Sequence, residues 1–459
     1  MKIMFKESIL KKQKEILLFV NHYVKSMKNE INVANSSVCY FHNYGDYISS
    51  SYLKLKFLGK RYCGKFFFNF LKNLYSIINT QNYVCIKSRK QKKYKYLFIS
   101  HVSRRDFQKD GSYKDNYFSL NSKNYKNTLF FLNSIDSYSP KKVQDNLIIF
   151  KRRSKNVSII YLLKYFLKFI INNKFSLQKL FHYFNFLTEF SNKIFPYLYE
   201  TVLNNKFKKI IMFYEAQPYQ NNFINELNKK KIKTETIGYY HTALLPLHTS
   251  LVYRQGAPNK LFISGQIQKN YCEKNLGWPK NRVFNIDSLR YSKNKNLIPN
   301  NTIFLPYEIS RSRVILQKLN LFFKKAKKKS LPFFNIRNHP ATKSSKKHLK
   351  LMRFIKKIIS ENKEKFDKNS KKKAIFIGST TSISLALEEK KEVIHICEDP
   401  IFDSFNPGIW KNIVVTKLDK FIFKYRLKKN THILKLNKDN KDKVKKYLKI
   451  NVQKNIRKK

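Results

Sequence analysis

Acidic residues are scarce in this chain of 459: 29 Asp and Glu stand against 94 Lys and Arg, a formal charge of +65. An imbalance of that size ordinarily marks a partner of nucleic acid or of anionic membrane. Here the basic residues are spread along the whole chain among abundant Asn, Ile, Phe and Tyr, as AT-biased coding produces. No zinc-finger, RRM-like or helix-turn-helix pattern accompanies them, so nucleic-acid binding is only a remote alternative. Cysteine is also sparse. Cys39, Cys63, Cys85, Cys272 and Cys397 are odd in number and form no C-x-x-C, which excludes a disulfide framework and fits a reducing cytosol. Cys39-x-x-His42 has no second ligand pair, so no zinc site is expected. Long apolar runs are missing too. The amino terminus offers only Ile16–Val20, too little for a signal peptide. Ile159–Ile171 comes nearest to the ~20 residues of a spanning helix, and Lys164 and Lys168 interrupt it. The expectation is a cytoplasmic protein, at most peripheral at the inner face of the membrane.

What the chain does contain is enough apolar residue, 42% with 15% aromatic, to fill the cores of two or three domains. Residues 1–90 carry apolar positions at three- and four-residue spacing with Lys between them, and read as an N-terminal helical extension. From Lys95–His101 (KYLFISH) the texture changes to short apolar runs stopped by polar residues. Strands are expected at Lys95–His101, Thr128–Leu132, Leu147–Phe150, Lys209–Tyr214, Thr234–Tyr240, Leu261–Ser264 and Val283–Ile286. Helices are expected at 157–200, Gln217–Lys230 and Gln266–Asn275, and the stretch after His101 reads as a loop leading to another. The polar stretch Tyr291–Asn301 reads as a linker. A second set follows, with strands at Thr302–Pro306, Pro332–Ile336, Ala374–Ile377 and Glu392–Ile396, and helices at Ile309–Lys329, Lys346–Lys363 and Thr381–Glu389. This alternation is the signature of parallel sheets. The fold class is therefore α/β: two doubly wound, Rossmann-like domains, 91–292 and 301–425, facing a cleft, with a basic helix or tail at 426–459.

Sheets of this kind bind ligands beyond the carboxyl ends of their strands, and those ends carry the unusual polar residues. In the first domain these are Glu215 (YEAQPYQ) and His241 (GYYHTALLP), with Arg254 and Arg290 later as candidates to meet an anionic acceptor. Glu215 reads equally well as a carboxylate at a helix start, and His241 as a satisfied structural histidine. In the second domain, RNHP presents Arg337 and His339, and GSTTS presents Gly378, Ser379, Thr380, Thr381 and Ser382. A guanidinium, an imidazole and a run of hydroxyls with free backbone N–H groups suit a phosphate.

RNHP and GSTTS together resemble the His-Pro and Ser/Thr motifs of bacterial GT-B glycosyltransferases that use CMP-activated sugars, the sialyl- and Kdo-transferases. Their spacing is also similar to that of CDP-glycerol polyol-phosphate transferases. KYLFISH, YEAQPYQ, GYYHTALLP and GWPKNRVFNIDSLRY are similar to segments of bacterial surface-carbohydrate (capsule and lipopolysaccharide) biosynthesis proteins, and the resemblance covers about Lys95–Trp410. It implies a GT-B-like fold, a nucleotide-sugar donor, a glycan or lipid-linked glycan acceptor and no cofactor. It further implies that His339, Ser379, Thr380 and Thr381 hold the donor phosphate, and that Glu388, in LALEE, lies near the donor ribose or sugar. The chain departs from the sialyltransferase pattern in lacking an Asp/Glu-Asp/Glu-Gly motif, which leaves Glu215 or His241 as the base. With no Asp-x-Asp present, no metal is called for. The alternatives are a CDP-glycerol-type polyol-phosphate transferase and a polysaccharide-assembly protein that kept the fold without catalysis.

Overall fold

The computed structural model describes residues 2–39, 41, 48–78, 81–87, 93–118, 120–156, 194–292, 297–309, 311–339, 342, 345–370, 373–436 and 447–448. The helical reading of 157–193, which includes Ile159–Ile171, lies outside these residues. So do His42, Pro340, part of the 291–301 linker and most of the tail expected from Arg426 on.

Two sheets carry the fold. The first has the order β1-β4-β3-β2-β5-β6-β7-β8, from β1 (Gln81–Lys87), β2 (Tyr96–Val102), β3 (Thr128–Ser134), β4 (Leu147–Asn156), β5 (Lys209–Phe213), β6 (Glu235–Tyr239), β7 (Lys260–Ser264) and β8 (Val283–Ile286). Strands β2 to β8 run parallel and β1 is antiparallel to β4. The second has the order β10-β9-β11-β12-β14-β13, from β9 (Thr302–Phe304), β10 (Asn335–Arg337), β11 (Lys373–Ile377), β12 (Glu392–Ile396), β13 (Ile413–Lys417) and β14 (Ile422–Leu427). Its first four strands are parallel, and β14 and β13 are added antiparallel. Both sheets are doubly wound, so the fold is α/β with two Rossmann-like domains.

Helices α1 (Lys2–Ser26), α2 (Ile31–Cys39), α3 (Ile48–Leu58) and α4 (Cys63–Ile78) precede the first sheet. Helices α5 (Phe195–Leu203), α6 (Pro218–Lys229) and α7 (Gln266–Asn275) belong to the first domain. Helices α8 (Ser312–Lys325), α9 (Lys346–Glu361), α10 (Ser382–Glu388) and α11 (Pro400–Asp403) belong to the second.

Three expectations need correction. The first 90 residues are not wholly helical, because Gln81–Lys87 joins the first sheet as its edge. Nor are they a separate extension. Gln13 in α1 donates to the carbonyls of Ile401 and Ser404 in the second domain, both at 2.9 Å, while Asn21 donates to Asn275 O in the first at 3.0 Å. The second domain does not end at 425, since β14 runs to Leu427 and pairs with β12; Lys424 sits between buried Phe423 and Tyr425, which hides a strand inside a Lys-rich stretch. Third, among the described residues no α-helix follows the loop after β2, only single 3-10 turns at Arg104–Asp106 and Ser122–Asn124. Turns carry the chain straight to β3, held by buried Asp115, which accepts from Ser100 Oγ at 2.7 Å, from Tyr113 OH and from the Tyr117 and Phe118 amides. A carboxylate that satisfies its own loop removes the need for helical hydrogen bonds.

The two domains are joined through more than a linker. Trp410 of the second stacks on Tyr271 of the first at 4.7 Å, and its Nε1 donates to Pro246 O at 2.8 Å. The chain after β14 returns to the first domain, where Lys435 exchanges hydrogen bonds with Ser264 and Lys435 Nζ lies 3.0 Å from Asp287. Gly265, at φ 99°, lets that returning strap lie against α7, because a Cβ there would sit 1.9 Å from Ile433 O.

Candidate active site

Strand register explains why the polar residues of the first domain gather. Phe213 of β5 pairs with Tyr239 of β6, so two residues further on Glu215 and His241 stand side by side past the sheet edge. Ile99 of β2 pairs with Met212 of β5, which brings His101 to the neighbouring position. The same arithmetic applies across the cleft. Arg337 pairs with Phe304, and Phe304 with Phe376, so His339 and Gly378 end level, with β9 between them. Both edges face one cavity of about 770 Å³. Glu215, His241 and Arg290 line it from the first domain; Arg337, His339 and Ser379 to Ser382 line it from the second.

Glu215 is held by its own loop. Gln220 accepts from the backbone N–H of Glu215 and Gln217 at 3.2 and 3.0 Å, and Gln217 Nε2 donates to the Glu215 carboxylate at 3.1 Å. The next residue, Ala216, has φ 56°, a left-handed conformation uncommon for a residue bearing a Cβ and a form of strain found at working loops. The Glu215 side chain is 39% exposed, opening into the cavity. Desolvation by the cavity walls raises its pKa above the ordinary carboxylate value, and the Gln217 hydrogen bond and Arg290 partly oppose this.

His241 lies behind it. The ring is only 5% exposed, Nε2 is 3.7 Å from Glu215 Oε1, and Nδ1 has no hydrogen-bond partner. Tyr117 packs edge-on against the ring at 4.4 Å. Burial first, then Arg290 and His101, push its pKa well below the usual histidine value. The ring is neutral at physiological pH, so the Glu215–His241 approach is not an ion pair. Arg290 Cζ sits 5.4 Å above the centre of the Tyr117 ring and 5.2 Å above that of Tyr291, a cation held at the cavity by stacking. Arg290→Ala removes a positive neighbour from both titrating groups and should raise both pKa values. The His241 ring signal, followed by NMR across a pH series, should move its midpoint upward in the variant; an unmoved midpoint would mean that Arg290 does not act on this ring.

On the opposite wall, Tyr307 meets the His339 ring edge-on at 5.3 Å. Partial burial, then His348, lower the His339 pKa. Gly378 has φ 63°, and a Cβ there would lie 3.3 Å from Pro306; this turn aims the Ser379–Ser382 segment at the cavity. Thr380 Oγ1 accepts from Ser382 N at 3.3 Å, while the remaining hydroxyls of the segment are half-buried at the cavity wall. Helix α10 behind them has seven residues, too short for much of a dipole, so the anion-binding capacity lies in these hydroxyls and amides with Arg337.

Two expected site residues lie elsewhere. Glu388 does not face this cavity. Its carboxylate accepts from the Ile433 and Leu434 amides at 2.8 and 3.1 Å and from His432 Nδ1 at 2.6 Å, so it anchors the returning strap and borders a second cavity of about 670 Å³. A carboxylate at the last turn of a short helix reached the nearest unpaired amides. Arg254 is 3% exposed and donates to Asn35 Oδ1 (2.7 Å), Ser250 O (2.8 Å), Val252 O (2.9 Å) and Ala216 O (2.9 Å). It meets no anion. Instead it holds the strained turn that presents Glu215.

Several cavity residues escaped the sequence reading. His101 closes β2 as His241 follows β6, and that parallel was the available signal. Its pKa is lowered to about 4, mainly by burial, and its Nδ1 lacks a partner. Asn338, inside RNHP, turns a buried Oδ1 with no partner toward the same cavity. Tyr117 and Tyr307 had no signal, being two of many tyrosines. Among the described residues no three His, Cys, Asp or Glu side chains gather closely enough to cage a metal ion.

No family model matches the chain, and no curated protein is similar to it in sequence. Solved structures with a partial likeness include a glycosyltransferase from Rickettsia africae ESF-5, at 11% identity and TM-score 0.30, covering 66% of this chain and 79% of that one. Another is a UDP-forming α,α-trehalose-phosphate synthase from Burkholderia vietnamiensis, at 11% identity and TM-score 0.29, covering 58% of this chain and 70% of that one. A third is the corresponding enzyme from Burkholderia xenovorans in complex with glucose-6-phosphate, at 12% identity and TM-score 0.29, covering 58% of this chain and 71% of that one. At that level the likeness assigns no residue a role, and the chemistry has to come from the cavity itself.

Proposed function

We propose that this protein is a glycosyltransferase of the two-domain GT-B kind, moving a sugar from a nucleotide donor, a CMP-activated one first, to a surface-polysaccharide or lipopolysaccharide acceptor. The observation that carries the reading is the sharing of one cavity of about 770 Å³ by a carboxylate–imidazole pair and, on the facing wall, an Arg–His–hydroxyl set. The first set suits deprotonation of an attacking hydroxyl, the second the stabilisation of a departing phosphate. In this scheme the acceptor hydroxyl attacks the anomeric carbon, the bond from that carbon to the donor phosphate oxygen breaks, and the hydroxyl proton passes to Glu215. Arg337, His339 and the Ser379–Thr381 hydroxyls take up the charge left on the phosphate. Glu215 is preferred over His241 as the base because its carboxylate opens into the cavity while His241 Nδ1 is buried. The acceptor's expected attachment to a lipid places the protein at the cytoplasmic face of a membrane without spanning it; no described helix is long and apolar enough to cross one.

A melting-temperature screen against CMP, CDP, UDP, GDP and their sugars tests this. A ligand that binds only the folded state, present at a hundredfold excess over its Kd, adds about 2.7 kcal/mol. A salt-resistant rise with cytidine nucleotides, abolished in His339→Ala, is the expected result. A rise with UDP or GDP alone would replace the cytidine donor. No rise with any nucleotide, beside salt-sensitive binding of RNA, would overturn the transferase reading.

A further inference from the structure

Helix α4 is apolar on more sides than the fold covers. Tyr62 just before it and Asn69 within it are buried, and Phe66 and Phe70 are half-buried on the adjoining side. Phe67, Phe68 and Leu71 are 59%, 63% and 49% exposed. Their spacing places them on one face of the helix with exposed Cys63 and Gly64 one turn earlier, so the exposure is a continuous stripe. Single exposed apolar residues are ordinary; a stripe of two phenylalanines and a leucine along one helix calls for a partner.

The charge around the stripe identifies that partner. No Asp or Glu occurs between Asp46 and Asp106, while Lys56, Lys60, Arg61, Lys65 and Lys72 flank or belong to α4. A helix with Phe and Leu on one face and Lys on its shoulders lies in the plane of a bilayer surface, with rings among the upper acyl chains and ammonium groups at anionic headgroups. A second copy of the chain fits poorly, because a two-fold contact would set this basic helix and its lysines against themselves. Single-stranded nucleic acid also pairs aromatic and basic groups, but its bases stack in basic grooves lined by rings, not on the exposed face of a single helix.

We infer that the exposed face of α4 is a docking surface for an anionic lipid bilayer. This names the place of membrane contact independently of what the cavity catalyses. The helix stays on the surface: it has 16 residues and Asn69 turned inward. Its neighbour α3 packs on α1, the helix that contacts both domains, with Phe57 edge-on to Phe19 at 5.6 Å.

The test uses the full-length protein and vesicles of phosphatidylcholine, alone or mixed with phosphatidylglycerol, in a flotation assay that needs no nucleotide. The wild type should float with the mixed vesicles and retain part of that binding in high salt. The triple variant Phe67→Ser, Phe68→Ser, Leu71→Ser should bind on the order of a hundredfold more weakly. Because all three side chains are exposed, its melting temperature should match the wild type. In Phe68→Trp the emission should shift to the blue on adding mixed vesicles, which reports burial at that position. Unchanged flotation of the triple variant, or unchanged Trp emission, would overturn the inference. So would a triple variant that turns a dimeric wild type monomeric, or one that loses RNA binding while the wild type ignores vesicles.

Discussion

Glu215→Gln should lower turnover by about 10²- to 10⁴-fold while leaving nucleotide affinity within a few-fold, since the change removes a proton acceptor and keeps shape and hydrogen bonding. Gln at 215 still receives the Gln217 amide, and the phosphate-facing loops lie on the other wall of the cavity. Steady-state kinetics with the donor found in the melting screen, set beside calorimetric Kd values, separates the two effects. Stability supplies an internal control. The folded-state pKa of Glu215 lies above its unfolded value, so folding favours the protonated form, and ionisation costs stability as pH rises through that window. Gln carries no such cost at neutral pH. The variant should therefore be at least as stable as the wild type and much less active, the pattern of a group strained for function. A variant that kept its turnover would pass the base role to His241. A variant that lost stability would show that the carboxylate is structural, as its place near a helix start also allows.

Much of the fold was readable because parallel α/β units announce themselves. KIIMF, ETIGY, KLFIS and KAIFI are buried over four of their five residues, so they appear as apolar runs bounded by polar loops, and the strands found there fall within a residue or two of expectation. The strands that escaped were of another kind. Gln81–Lys87, Ile413–Lys417 and Ile422–Leu427 are all antiparallel additions, and each carries Lys, with Asn or Arg in the first and last, so a lysine-rich chain conceals them. The site was legible to the same depth. Position past a strand end brought Glu215, His241, Arg337, His339 and Ser379–Ser382 to one cavity, because register fixes where strand ends lie. It could not say which arginine turns inward. Arg254 and Arg290 look alike in sequence, yet one is enclosed by three carbonyls and an amide and the other stacks on two tyrosines. Glu388 was misplaced for a related reason: its partners, the amides of Ile433 and Leu434, come from a strap more than forty residues downstream.

Arg254→Met should destabilise the protein by about 3–5 kcal/mol, since several buried acceptors lose a charge-assisted donor at about 1–3 kcal/mol each. The guanidinium satisfies the carbonyls of Ala216, Ser250 and Val252 and the Asn35 amide oxygen, all with little access to water. Methionine fills much of the volume and offers no donor, leaving the Ser250 and Val252 carbonyls and Asn35 Oδ1 without this donor and Ala216 O with only Asn221 Nδ2, at 3.0 Å. Lysine should recover only part of the loss, since a single ammonium cannot reproduce the fork that reaches four acceptors on separate segments. Denaturant titration of the three proteins gives the ordering. Losses of well under 1 kcal/mol for the methionine variant would mean that water replaces the clamp and that its geometry holds nothing together. Location makes the effect larger than stability alone. Asn35 belongs to α2, and Ala216 is the left-handed residue beside Glu215, so the clamp ties the bridging amino-terminal helices to the turn that aims the carboxylate into the cavity. At a temperature where the lysine variant remains folded, donor binding should persist and turnover should still fall, because the facing wall is intact while the Glu215 turn is free to relax toward an unstrained backbone.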